Sequence, residues 1–160
     1  PLIAVDGPVV QVRSARLTLP AKPAASPDLV RRLAARLDRV RAHGEPVAIR
    51  TAFTALQAAE LAQNEPPPPA EPVCAVSTAR IGGLSLVALG AEPYLDLATQ
   101  LGQRLNHPAV LVGYTNGYLG YLPVRAAYRR SDYEVLRSPV AAGSAERVLQ
   151  VATSLLGGSR

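Results

Sequence analysis

The chain has 160 residues, a mass of 16.8 kDa, 48% hydrophobic residues and a formal net charge of +5, enough for one domain with its own core. The charge is arginine charge, since Lys22 is the only lysine; it is dispersed, and no aromatic platform interleaves it, which argues against nucleic-acid binding. No run approaches the roughly 20 apolar residues that span a bilayer, and the single Cys74 excludes an internal disulfide or a multi-cysteine zinc cluster.

The sequence contains no Met and opens at Pro1 directly into an apolar run, so the chain is expected to be a product of processing, proteolysis or trimming. The Arg and Ala excess fits GC-rich, bacterial coding. No signal peptide is visible, and the compartment stays open, with the cytoplasm favoured over secretion.

Leu2–Val12 and Ala15–Leu19 read as two strands, the second alternating Arg16 and Thr18 with Leu17 and Leu19. Pro20–Pro27 breaks that pattern, and Ser26-Pro27-Asp28 supplies a helix N-cap with proline at the first helical position. The helix should run to about Ala42, with Arg31, Arg32, Arg36, Arg39 and Arg41 on its solvated face. A second helix from beyond Glu45 to about Gln63 should pair with it as a hairpin, over residues 27–63.

Residues 64–72, with Pro66–Pro69 at their centre, form a proline-rich linker. Strands follow at Val73–Arg80 and Leu84–Leu89 around a Gly82-Gly83 turn, then a helix from about Pro93 to Leu105. Asn106-His107-Pro108 leads into a strand at Ala109–Tyr114, and the last helix spans about Ser144 to Leu156. The strand–helix–strand crossover favours adjacent parallel strands, so the segments beyond their carboxyl ends should meet. Those segments hold Glu92, expected in the first turn of the following helix, and the turn Asn116–Tyr121.

Asn116–Val135 reads NGYLGYLPVRAAYRRSDYEV and holds Tyr118, Tyr121, Tyr128 and Tyr133, in a chain with six tyrosines, one Phe and no Trp. A phenol can donate to a developing negative charge or, ionised, bind a metal. Tyrosine also serves in such turns as an amphipathic wedge with a wet hydroxyl. Cys74, between Val73 and Ala75-Val76, reads as a buried structural thiol.

Gly90-Ala91-Glu92-Pro93, then Asn116-Gly117-Tyr118-Leu119-Gly120-Tyr121-Leu122-Pro123, Ala127-Tyr128 and Tyr133-Glu134, resemble the last part of the catalytic domain of the neutral (non-lysosomal) ceramidase family. The resemblance extends over effectively the whole chain. It implies an α/β (α+β layered) fold, a mixed sheet with flanking helices and a helical hairpin, within a larger catalytic domain whose site-bearing part is 73–156. Members are zinc amidohydrolases that cleave the N-acyl amide of ceramide with a zinc-activated water. The resemblance assigns Glu92 and Tyr121 as metal ligands and Tyr133 as the donor to the tetrahedral oxyanion, while Tyr118 and Asn116 support the turn and Tyr128 packs. Glu92 and Tyr121 lie closer along the chain than in typical members, and Ser131-Asp132 replaces a smaller approach to Tyr133.

Two histidines complete the family's zinc site, and neither segment that bears them is present. His43 closes a helix and His107 lies in a turn. The chain is therefore expected to be the C-terminal portion or subunit of a zinc-dependent amidohydrolase acting on an N-acyl amide or lipid, inactive until an N-terminal portion or companion subunit supplies the histidines. A sheet edge exposed by the division should form the contact. A non-catalytic structural subunit or pseudoenzyme of the same fold, and a standalone α/β binding module, are the alternatives.

Overall fold

A computed structural model describes residues 10–157 of the chain. A four-stranded mixed sheet runs in the order β1 (Val10–Thr18), β2 (Val73–Ile81), β3 (Leu84–Leu89) and β5 (Ala109–Val112). The first three strands are antiparallel neighbours, and β5 joins β3 in parallel. The parallel step is made by the expected crossover, whose helix α3 spans Leu95–Arg104.

The expected Leu2–Val12 strand falls partly outside the described residues. Within them, Val10–Thr18 is one continuous strand with no break before Ala15, held to β2 from Val10 opposite Ile81 to Thr18 opposite Val73. A nine-residue partner on the other side leaves no unpaired stretch where a turn could form.

Alternation along the strands divides the sheet into two faces. On one, Cys74, Val76, Val87 and Leu89 are buried against Leu97 and Leu101 of α3 and against Val148, Leu149 and Ala152 of α5 (Ser144–Leu155). Each large side chain there contributes about 1.5–3 kcal/mol of burial free energy. Cys74 is fully buried, and burial pushes its thiol up to about 11. On the other face, registered partners form apolar rows: Val10, Ile81 and Leu84; then Val12, Ala79, Leu86 and Val110.

Helices α1 (Pro27–His43) and α2 (Pro46–Asn64) form the expected hairpin. Ser26 caps α1 by accepting from the Leu29 amide at 3.2 Å, and Asp28 pairs with Arg31 and Arg32 on the solvated side. Buried Ala52, Ala55, Ala58 and Ala59 let α2 approach α1 closely. The hairpin builds a second apolar cluster, in which Leu33, Ala55, Ala58 and Ala59 meet Leu136 of the short helix α4 (Tyr133–Arg137). The hairpin therefore touches the segment that carries Tyr133.

Candidate functional site

Beyond the carboxyl ends of β3 and β5 the chain forms a second, two-stranded parallel sheet, β4 (Glu92–Pro93) with β6 (Tyr121–Leu122). Its register sets Glu92 directly beside Tyr121. Glu92 is thus a strand residue; α3 begins only at Leu95, with Tyr94 at its N-cap, which corrects the expected placement in the first helical turn. Proline brings no amide to a helix start, and Tyr94 donates to Leu122 at 3.4 Å, so strand pairing extends past Pro93.

Between β5 and β6 the loop is tied back onto the end of β3. Tyr114 donates to Ala91 at 2.9 Å, Thr115 to Leu89 at 3.0 Å, Leu119 to Gly90 at 2.7 Å, and Glu92 to Gly120 at 2.9 Å. These bonds hold Tyr114 and Asn116 at φ 57, a left-handed conformation that a bulky tyrosine adopts only when its surroundings impose it. The turn at Asn116-Gly117 then folds Tyr118 onto Tyr114, ring centroids 5.5 Å apart and nearly parallel. Asn116 Nδ2 donates to Ser77 Oγ at 3.2 Å.

Tyr114 is the participant that sequence reasoning missed, having assigned it to the end of a strand. A hydrogen bond to the Glu92 carboxylate is the first cause that pushes its phenol up to about 12. The signal was available in Tyr114-Thr115-Asn116-Gly117-Tyr118, where an Asn-Gly turn separates two aromatic residues.

Tyr121 and Tyr133 meet edge to face, centroids 6.1 Å apart and planes at 81°. Burial first, then the Glu92 carboxylate, raise the Tyr121 phenol above its ordinary 10.0. Tyr121 is accordingly a neutral donor unless a cation offsets the charge of Glu92. Arg137, one turn after Tyr133, grips Glu65 at 2.7 Å. That bond is the main cause raising the guanidinium above its usual value, and the Tyr133 hydroxyl adds to it.

A cavity of about 420 Å³ opens beside these rings, lined by Lys22, Pro66, Tyr118, Tyr121, Tyr133 and Arg137 among others. Lys22 Nζ donates to the carbonyls of Val135 and Leu136. Burial, and secondarily Arg137, lower its pKa from 10.5 to about 8. Tyr128 stands apart: it packs on the core and donates to Val140 at 2.7 Å.

The histidines stand elsewhere. His107 Nε2 lies 2.7 Å from Ser85 Oγ at the opposite end of β3 and β5, and exposed His43 ends α1. Among the described residues no group of three His, Cys, Asp or Glu side chains is placed to hold a metal. Glu92 and Tyr121 alone make a partial set of two oxygen donors, and their chemistry suits a cation.

Superposition on solved structures matches the crystal structure of neutral ceramidase from Pseudomonas aeruginosa, with a TM-score of 0.59 and 20% identity over 94% of this chain and 28% of that one. The chain has a neutral ceramidase-like fold. A second match, a ceramidase complexed with C2, has a TM-score of 0.49 and 21% identity over 55% of this chain and 15% of that chain. No family model matches the sequence, and no curated protein matches it. The chain thus spans less than a third of the length of either ceramidase.

Proposed function

We propose that this chain is the C-terminal part or subunit of a zinc-dependent amidohydrolase that cleaves an N-acyl amide of ceramide-like lipid. The register of Glu92 beside Tyr121 carries the reading, because it brings together the two oxygen donors on a fold like that of neutral ceramidase. Zinc would be held by Glu92 and Tyr121 together with two histidines of an N-terminal portion or companion subunit. The chemistry it supplies when bound is Lewis acidity and a water acidified towards a pKa of about 7.

The chain's own residues have separate tasks. Tyr114 stands beside the Glu92 carboxylate, which raises its phenol. Tyr133 donates from its hydroxyl to the amide oxygen as charge builds there. Arg137, anchored by Glu65, stands with Tyr133 on the cavity wall. The proline-walled cavity beside Tyr121 and Tyr133 receives part of the lipid.

Zinc content and amidase activity of the purified natural assembly test this. Glu92→Ala and Tyr121→Phe should each lower zinc occupancy and abolish turnover of an N-acyl sphingosine. Zinc and activity surviving both substitutions would falsify the ligand assignment. The partial donor set also favours a second reading, a non-catalytic subunit of the same fold, and an assembly that binds no zinc at any pH would establish it.

A further inference from the structure

We propose that the open face of the four-stranded sheet is a docking surface for an apolar polypeptide layer that continues the ceramidase-like fold outside this chain. This rests on the reading that the chain works as part of a larger assembly, and not on the zinc chemistry.

The face is apolar by register. The rows Val10, Ile81, Leu84 and Val12, Ala79, Leu86, Val110 run across the sheet, and Val112 extends the next row. Val10 is 59% exposed, Val12 66%, Val110 45% and Val112 39%. The four valines stand on the two edge strands, and half-buried Ala79, Ile81, Leu84 and Leu86 join them across β2 and β3 into one patch.

Among the described residues, none of the chain's helices packs on it. α3 and α5 pack on the opposite face, while the α1–α2 hairpin docks on α4. A sheet that is apolar on both faces is characteristic of a central layer covered on both sides.

Two observations select the occupant. The neutral ceramidase that matches along 94% of this chain has only 28% of its length accounted for, so most of such a fold lies outside this sequence. The open face also leads into the candidate site. Its apolar rows end at the Ser14–Ser77 hydroxyl pair, 3.0 Å apart, and Asn116 of the tyrosine loop binds Ser77 there. A layer on this face therefore lies beside the loop that carries the Tyr114–Tyr118 stack. A second copy of this chain would bring only the donors already present. The surface is a face, whereas the sequence pointed to a sheet edge.

Photo-cross-linking tests the proposal, with benzoylphenylalanine placed at Val12 or Val112 and, as a control, at exposed Arg36 of α1, in cells that make the chain with its natural neighbours. Cross-linked peptides are identified by mass spectrometry. Both face positions should capture one polypeptide that continues the ceramidase-like fold, whether separate or continuous with this chain, and Arg36 should not. Capture of a second copy, of a protein unrelated to that fold, or of nothing overturns the proposal. Capture of a fold-continuing polypeptide without the paired histidines leaves the docking face standing and removes the zinc reading.

The double substitution Val12→Asp, Val112→Asp places charge under the layer. It should raise the dissociation constant, or the opening equilibrium of a covalently continuous layer, on the order of 100-fold. Hydrogen exchange of the assembly reads this, with circular dichroism confirming that the sheet persists. An unchanged equilibrium in the folded double variant also overturns the proposal.

Discussion

Lys22 shows how one side chain couples the cavity to the fold. Its ammonium donates to two carbonyls of α4, and burial lowers its pKa to about 8 from 10.5. Between those values the unfolded chain binds the Lys22 proton more tightly than the folded chain, so this group makes stability rise with pH from about 8 towards 10.5. Lys22→Met should remove that upward component, read by urea unfolding at pH 7 and pH 10. A wild-type-minus-variant difference that stays flat over this interval would contradict the assignment. Tyr133→Phe addresses the other wall of the cavity. It keeps the edge-to-face ring contact with Tyr121 and deletes the donor, so turnover of the assembly should fall roughly 10²–10³-fold with zinc content unchanged.

At the level of elements, the two-residue pairing of β4 with β6 depends on close backbone approach. A Cβ on Gly113 would lie 2.9 Å from Pro93 Cδ and 3.0 Å from the Ala91 carbonyl oxygen, neither of which is the end of a flexible side chain. Gly113→Ala should therefore cost about 1–3 kcal/mol. Thermal unfolding measures it, and an unchanged midpoint would show that β4 can shift at little cost. The same pairing marks the limit of what sequence disclosed. Strands β2 and β3, the hairpin and the parallel crossover were legible, because alternation, a proline-led N-cap and helical spacing are local signals. Glu92 was expected to meet the tyrosine turn, and the register brings it to Tyr121. Its assignment to a helix start failed because a two-residue strand has no periodicity to detect. The left-handed backbone at Tyr114 is likewise imposed by bonds to residues far back in the chain, which no local pattern records.

Among the described residues the buried apolar side chains separate into two clusters, one between the sheet and α3 and α5, the other within the hairpin, and α4 bridges them through Val135 on the sheet side and Leu136 on the hairpin side. The hairpin cluster relies on alanines with little area to bury, so it should open before the sheet does. Native-state hydrogen exchange should find the amides of α1 and α2 less protected than those of β2 and β3, with α4 between the two because Val135 packs on the sheet side. Equal protection throughout would indicate a single cooperative unit. Opening of this kind would loosen the packing around Tyr133 while leaving Glu92 and Tyr121 paired, since that pairing belongs to the sheet side of the molecule.

The Glu92–Tyr121 register has a further consequence for variation among proteins of this fold. Neighbouring strands stand about 4.8 Å apart whatever lies between them in sequence. The distance between the two backbones is thus set by β-pairing and not by the length of α3 or of the turn at Asn106-His107-Pro108. Residues can be added to or removed from that crossover while the pair keeps its spacing, so the site tolerates length changes in a segment that connects its two halves.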